Sequence, residues 1–170
     1  MSEVDYQKIG AEAVRICQDL IRIPSVNFGG GVGDELAAAK YVAEYLSANG
    51  LSPQLFESAP GRVSVIARIT GSNRERAGLV LHGHLDTVPA TAADWLHDPW
   101  SGEIIDGEIW GRGAVDMKDM DAMILAIVGH WYQTGFVPER DIVLAFFADE
   151  EAGGKFGVNW IVQNHPEVFQ

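Results

Sequence analysis

The sequence is poor in cysteine, in basic residues and in long apolar runs. Cys17 is the only cysteine in 170 residues, which excludes an intrachain disulfide and makes a reducing cytoplasm the expected location. No apolar run approaches the ~18 residues that a transmembrane helix needs, and the acidic N-terminus lacks the apolar region of a signal peptide. The sequence therefore predicts a cytoplasmic protein with no membrane partner.

Acidic residues outnumber basic residues two to one. The chain has 24 Asp and Glu against 12 Lys and Arg, a formal charge of −12, which argues against nucleic acid and anionic membranes as partners. The excess lies in the second half, where residues 86–170 carry 15 acidic and 4 basic side chains. A solvated acidic face is the ordinary explanation, and a group of acids that shares a site with cations is the alternative.

The apolar pattern predicts one domain with four helices. Apolar residues make up 47% of the chain, enough for one packed core, and the length favours a single domain. Spacings of three and four residues predict helices around residues 9–20, 36–46 and 117–131. A last helix is predicted over residues 156–164. In the third of these helices, the methionines are expected to pack in the core.

Strands are predicted between the helices. Residues 62–69 alternate between apolar and polar and predict a half-buried strand, whereas residues 79–81 and 142–147 are continuously apolar and predict buried strands. Asp106-Gly107 predicts a two-residue hairpin turn. The glycine-rich segment 28–33 lacks the features of a phosphate-binding loop and is expected to be a flexible loop. This mixture of helices and buried strands indicates a layered α/β fold.

The first polar segment continues the apolar strand of residues 79–81. His84 and Asp86 are two residues apart, so their side chains point the same way in extended backbone. Open α/β sheets bind ligands at the carboxyl ends of their strands, and a metal-bound histidine often donates its second ring N–H to a carboxylate, which predicts that role for Asp86. His82 shares this parity, but a histidine near a strand end is more often a packed residue.

The second polar segment leads into the third predicted helix. Asp116 lies where the helix begins, and an N-cap is the ordinary role of an aspartate there. Asp119 and Asp121 fall in the first helical turn, where the helix dipole favours acids, and are assigned to the helix start.

The third polar segment is Asp149-Glu150-Glu151, which follows an apolar strand. Like charges this close raise one another's pKa unless a cation intervenes. Histidine, aspartate and glutamate without a thiolate suit zinc or a similar divalent ion, and a carboxylate-rich set suits two ions. Paired carboxylates also serve metal-free glycosidases, which leaves that chemistry as an alternative.

The three segments, in this order, resemble the co-catalytic zinc peptidase and deacylase family. This family includes succinyl-diaminopimelate desuccinylase, acetylornithine deacetylase, aminoacylase, glutamate carboxypeptidase and related dipeptidases. The resemblance rests on Gly-His-x-Asp-x-Val-Pro, Gly-Arg-Gly-x-x-Asp-Met-Lys and Asp-Glu-Glu, and on the region of Trp95, Pro99 and Trp100. It implies a three-layer α/β/α catalytic domain with a mixed, partly parallel central sheet.

Carried over to the matching positions, the resemblance implies roles for five residues. His84 would bind one zinc ion, and Asp86 would orient this histidine. Asp116 would bridge two zinc ions and would be followed by a cis peptide bond. Glu151 would bind the second zinc ion, and Glu150 would be the general base that deprotonates the attacking water. Cobalt and manganese are expected substitutes for zinc.

The resemblance covers residues 1–170 but only the N-terminal part of the family's catalytic domain. The lid and dimerisation domain and the C-terminal catalytic segment are expected to be absent, and two of the family's five metal ligands with them. The later histidines, His130 and His165, are not expected to replace these ligands. Asp119 stands where the family often has glycine and adds an acid near the site.

The leading hypothesis is zinc-dependent hydrolysis of amide bonds in N-acyl amino acids or small peptides. The expected partners are a small-molecule or peptide substrate and a second copy of the chain in a homodimer. The competing hypothesis is a partial, inactive fragment that binds metal weakly or associates with itself through an exposed sheet edge. Trp95, His97 and Trp100 could line a substrate pocket, although packing is the ordinary role of such residues.

Overall fold

The computed structural model describes residues 4–170. The helices are α1 (Tyr6–Ile21), α2 (Leu36–Ala48), α3 (Lys118–Thr134) and α4 (Val158–Asn164). The strands are β1 (Asn27–Gly29), β2 (Val32–Gly33), β3 (Gln54–Ala59), β4 (Arg62–Ile69), β5 (Leu79–His84), β6 (Ile104–Ile105), β7 (Glu108–Ile109) and β8 (Ile142–Phe147). The four predicted helices are confirmed. No helix in this part of the chain combines the length and the apolar character needed to cross a membrane.

A four-stranded mixed sheet forms the middle layer. Its strand order is β3-β4-β8-β5. Strand β4 is antiparallel to both β3 and β8, whereas β5 is parallel to β8. Because β8 has a strand on each side and helices on each face, all six of its apolar residues are buried, as its sequence predicted.

The two faces of β8 belong to two separate apolar cores. Ile142, Leu144 and Phe146 pack in the core that includes α1, α2 and α3. The alternate residues of β8 pack on the other face with Ile161 of α4. Since successive side chains of a strand point to opposite faces, one strand supports both helical layers. The predicted three-layer α/β/α fold with a partly parallel sheet is confirmed.

Burial along β4 and β5 differs from the sequence prediction. Strand β4 is not half-buried, because Arg62 pairs with buried carboxylates and the Ser64 hydroxyl accepts a hydrogen bond from the Ala148 N–H at 3.0 Å. Strand β5 is not a buried strand, because it lies at the edge of the sheet. Leu79 and Val80 are consequently 43% and 39% exposed.

Two local predictions are also wrong. Segment 28–33 belongs to the tight β1-β2 hairpin and not to a flexible loop, since Gly29–Gly31 adopt the positive φ angles that such a turn requires.

Helix α3 turns a different face to the core than the methionine spacing predicted. Met120 is 44% exposed, because Lys118 and Asp121 occupy the core-facing side of the first turn. The predicted Asp106-Gly107 turn is confirmed between β6 and β7.

Two charged side chains are buried at the start of α3. Lys118 Nζ donates to the carbonyl oxygens of Leu20 at 2.7 Å and Ile23 at 2.9 Å, where the end of α1 favours a cation. Burial lowers the pKa of Lys118 to about 8. Asp121 is also buried, and its carboxylate oxygens have no hydrogen-bond partner among residues 4–170. Asp121 lies in the first turn of α3, as the sequence predicted, but its burial was not predicted.

We predict that Asp121→Asn stabilises the protein at neutral pH. Burial holds the pKa of Asp121 well above its usual value, whereas an unfolded aspartate titrates near pH ~3.9. The contribution of Asp121 to the free energy of unfolding should therefore fall as the pH rises above about 4, although the charges of His84 and Lys118 offset part of the penalty. A neutral asparagine should raise stability by about 1–3 kcal/mol at pH ~8, and the gain should shrink toward zero near pH ~4.

Urea unfolding at these two pH values measures the difference. Asp119→Asn in the same helical turn is the control, because Asp119 is only partly buried and its replacement should change stability by less than about 0.5 kcal/mol. Destabilisation by Asp121→Asn at both pH values would show that the folded protein compensates the Asp121 charge.

Candidate metal centre

The topology brings the three polar segments to one edge of the sheet. Strands β5 and β8 are parallel, with His84 of β5 beside Phe147 of β8. The segments that follow these strands therefore leave the sheet at the same edge. The acidic turn, defined here as Asp149-Glu150-Glu151, follows β8 after one residue. Asp116 lies two residues before α3, a helix in the connection between β5 and β8.

A histidine and three carboxylates converge at this edge. His84, Asp116 and Glu151 offer ligand atoms that all lie within 4.8 Å of one another. His84 Nε2 is 3.0 Å from Asp116 Oδ1 and 3.7 Å from Glu150 Oε2. The side chain of His84 is 5% exposed, whereas that of Asp116 is 76% exposed. The imidazole therefore forms the buried floor of an open acidic pocket.

The orientation of His84 is set by Asp86. His84 Nδ1 lies 3.0 Å from the Asp86 carbonyl oxygen and 3.5 Å from the Asp86 carboxylate. Because a carbonyl oxygen only accepts, Nδ1 carries the proton of this hydrogen bond and Nε2 faces the acids. Burial lowers the pKa of His84, but Asp86 and Asp116 outweigh it and raise the pKa to about 9. The acids thus favour positive charge at Nε2, whether a proton or a metal ion.

The Asp86 carboxylate anchors the acidic turn. It is fully buried and accepts hydrogen bonds from the backbone N–H groups of Glu150 and Glu151, both at 3.1 Å, and from Asn27 Nδ2 at 2.7 Å. Burial acts to raise the pKa of Asp86, but these bonds and the nearby His84 hold the pKa below its usual value. Asp86 is therefore an ionised acceptor that fixes the backbone of both glutamates.

Asp116 does not cap α3. The N-cap position is Met117, which has no side-chain capping bond, so the ordinary explanation for Asp116 is wrong. The Asp116–Met117 peptide bond is cis, as the family resemblance implied.

The donor set fits a divalent cation. No lysine or arginine in the described part of the chain forms a salt bridge with Asp116, Glu150 or Glu151. Burial raises the pKa of Glu151, and the neighbouring acids add to this effect despite the opposing influence of His84. His84 is thus the one basic side chain among the described residues that pairs with this cluster, through Asp116 and Glu150. A divalent ion would supply further positive charge. Imidazole and carboxylate groups are ligands that first-row divalent ions accept.

The remaining sequence candidates lie outside this cluster. His82 is exposed on the edge strand, with its ring 6.1 Å from that of Phe147. Trp95 stacks near the Arg112 guanidinium at 5.2 Å, and His97 packs edge-on against Trp110 at 4.7 Å. These contacts favour packing roles for Trp95 and His97.

Neither later histidine is in the cluster. His165 packs against the rings of Phe56 and Trp160, and His130 lies in the second half of α3. The sequence analysis did not identify Asn27, whose Nδ2 contacts both Asp86 at 2.7 Å and Asp149 at 3.1 Å. No spacing rule could have found Asn27, because it reaches the site through a bridge between Val26 and Thr87.

Comparison with known proteins adds a family match to this geometry. The model of peptidase family M20/M25/M40 matches residues 80–169. The chain is 35% identical over 128 residues to aminoacylase-1 of Sus scrofa, which covers 75% of this chain and 31% of that protein. It is 41% identical over 95 residues to the probable carboxypeptidase S-like 2 of Dictyostelium discoideum, which covers 55% of this chain and 18% of that protein. The chain thus spans less than a third of the length of either relative.

Solved structures show the same fold. Human carnosine dipeptidase 1 aligns with a TM-score of 0.77 and 22% identity, covering 96% of this chain and 37% of that chain. An M20 family metallo-carboxypeptidase from Sulfolobus solfataricus aligns with a TM-score of 0.76 and 24% identity, covering 92% of this chain and 35% of that chain. At these identities the likeness concerns the fold.

We predict that Asp86→Asn weakens the binding of a divalent ion by about 10- to 100-fold, the usual effect of removing a group that orients metal ligands. Asparagine keeps the shape but loses the charge and one acceptor that hold the two glutamate N–H groups. Competition with a chromophoric chelator measures the affinity. The control is Asp141→Asn, since Asp141 accepts a backbone N–H from Gly71 at 2.8 Å outside the site. Equal affinity for the Asp86 variant and the parent would contradict this account.

Proposed function

Because this chain belongs to peptidase family M20/M25/M40, we propose that it is the metal-binding part of a hydrolase that cleaves amide bonds in N-acyl amino acids or small peptides. The observation that carries the proposal is the convergence of His84, Asp116 and Glu151 within 4.8 Å. The names of the aminoacylase and dipeptidase relatives support amide bonds as the target. The proposal assigns residues 1–170 to the N-terminal portion of the family's catalytic domain.

Three residues are proposed to hold zinc. His84 would bind one ion through Nε2, Glu151 would bind a second ion, and Asp116 would lie between the two. Cobalt or manganese would substitute, because imidazole and carboxylate ligands also accept these ions. A bound ion would polarise the amide carbonyl and make water more acidic.

Glu150 is proposed as the general base. Its side chain is 59% exposed and its Oε2 lies 3.7 Å from His84 Nε2, so it reaches the mouth of the pocket from a backbone that Asp86 fixes. Glu150 would accept the proton of the attacking water and then deliver it to the leaving amine. Asp86 would keep the Nδ1 proton of His84 directed at its carbonyl oxygen, which leaves Nε2 free to bind.

A second candidate function is self-association without catalysis. Strand β5 is an edge of the sheet and exposes Leu79 and Val80, and exposed edge strands pair readily with another chain. A homodimer formed in this way would be compatible with metal binding. Catalysis is therefore what separates the two candidates.

We predict amide hydrolysis that requires a divalent ion and that falls by about 10²- to 10⁴-fold in kcat in Glu150→Gln. The substrates are N-acetyl amino acids and dipeptides, tested with zinc, cobalt and manganese, and release of the free amine is measured. Glutamine keeps the shape of Glu150 but cannot accept the proton, so metal stoichiometry should not change. Glu44→Gln is the control, because Glu44 is exposed on α2.

Hydrolysis that survives both a chelator and Glu150→Gln would contradict the proposed mechanism. Metal binding without hydrolysis of any substrate would instead favour the self-associating, non-catalytic candidate.

A further inference from the structure

One arginine is completely buried beside the metal centre. Arg62, the first residue of β4, is 0% exposed. Its Nη2 lies 2.8 Å from Asp149 Oδ1 and 2.8 Å from Glu35 Oε1. The β1-β2 hairpin packs directly on the guanidinium, because a Cβ at Gly33 would lie 2.0 Å from Nη1. Burying a charge is costly unless it is paired and hydrogen-bonded. Nη2 donates to Asp149, whereas Nε and Nη1 have no hydrogen-bond partner among residues 4–170.

Asp149, the principal partner of Arg62, is the first residue of the acidic turn. It has a φ of 64°, the left-handed conformation that non-glycine residues adopt only when surrounding contacts hold them there. Its carboxylate supplies these contacts. Oδ1 accepts hydrogen bonds from Arg62 Nη2 at 2.8 Å and Asn27 Nδ2 at 3.1 Å, and Oδ2 accepts one from the Phe156 N–H at 2.8 Å.

The turn is therefore held from two sides by buried carboxylates. Asp86 accepts hydrogen bonds from the N–H groups of Glu150 and Glu151. Asp149 accepts hydrogen bonds from the side chains of Arg62 and Asn27 and from the Phe156 N–H, which follows the turn. Asn27 links the two carboxylates through one amide group. Among the described lysines and arginines, Arg62 alone forms a salt bridge with this pair of acids. Arg62 is therefore the counter-ion of Asp149, whereas the cationic neighbour of Asp86 is His84.

We infer that Arg62 is a positioning residue for the metal centre. Through Asp149 it holds the conformation of the turn from which Glu150 and Glu151 project, although it touches neither glutamate. The inference rests on the proposed function for its link to metal binding, because Glu151 is a proposed ligand. Its structural part, the control of the acidic turn, is independent of that proposal.

Hydrogen exchange at single amides, followed by NMR in the 170-residue chain, tests the structural part. Arg62→Lys keeps the charge but replaces the rigid guanidinium, whose Nη2 contacts both acids, by a flexible ammonium group. The N–H groups of Glu150, Glu151 and Phe156 should exchange about tenfold faster or more, as expected for the loss of a charge-assisted hydrogen bond. The amides of β8 should not change. Global destabilisation would instead accelerate exchange throughout β8.

Arg68→Lys is the matched control. Arg68 lies on the same strand and pairs with Asp141 at 2.9 Å, outside the site. This variant should leave the exchange rates of the Glu150, Glu151 and Phe156 amides unchanged. Unchanged turn amides in Arg62→Lys, or acceleration that extends equally to β8, would overturn the inference.

Asp149→Asn provides a second, independent variant, and it decides the matter if Arg62→Lys does not fold. This substitution should accelerate hydrogen exchange at the same three amides. The double variant should be no worse than the more affected single variant, because the two residues act through one contact. Additive effects of the two substitutions would show that Arg62 does not act through Asp149.

Zinc affinity, measured by calorimetry on the same proteins, tests the link to metal binding. Arg62→Lys should bind zinc about tenfold more weakly than the parent and the Arg68 control. Equal affinity for all three, with accelerated turn amides, would show that the turn does not supply a ligand and would overturn the positioning role. A parent that binds no zinc would overturn the proposed function, while the exchange data would still decide whether Arg62 controls the turn.

Discussion

The buried carboxylate of Asp86 is the interaction on which the site depends. It accepts the backbone N–H groups of Glu150 and Glu151, so it joins the segment after β5 to the segment after β8. An ionised carboxylate is a stronger acceptor than a carbonyl oxygen, and its burial protects these bonds from competition with water. The same residue holds the His84 ring through its carbonyl oxygen. One aspartate thus sets the position of a histidine and of two glutamates.

The acidic excess of the chain has a structural explanation at this edge of the sheet. Asp86, Asp149 and Asp121 are buried, so the acids of the second half do not all belong to a solvated face. Arg62 balances part of this charge from behind the turn. Asp116 and Glu150 remain open to solvent, on the side where a divalent ion would provide the missing positive charge. The family membership of the chain is consistent with such an ion.

The strands and turns of this fold could be predicted where the local sequence alone determines their conformation and burial. Strand β8 is apolar at every position and is buried on both faces, and the Asp106-Gly107 turn follows from the conformational preferences of two residues. Strand β5 has an equally apolar start, yet Leu79 and Val80 are exposed. Its place at the edge depends on the strand order, which no window of sequence contains.

The same distinction applies to the site. His84, Asp116 and Glu151 could be proposed because they lie in three short motifs, and the structure places them together. The groups that hold them could not be predicted in this way. Asn27 contacts Asp86 across 59 residues, and Arg62 contacts Asp149 across 87 residues. Buried polar contacts of this kind depend on the packing of the whole sheet, since asparagine, aspartate and arginine are more often surface residues.

The most direct test of the account is the location of a bound ion by anomalous X-ray diffraction at the zinc absorption edge, from crystals of the 170-residue chain grown with zinc. The account predicts an anomalous peak about 2.0–2.2 Å from His84 Nε2 and from a carboxylate oxygen of Asp116 or Glu151. A peak that lies instead at His130 or His165, or no peak at His84 when zinc is saturating, would contradict it.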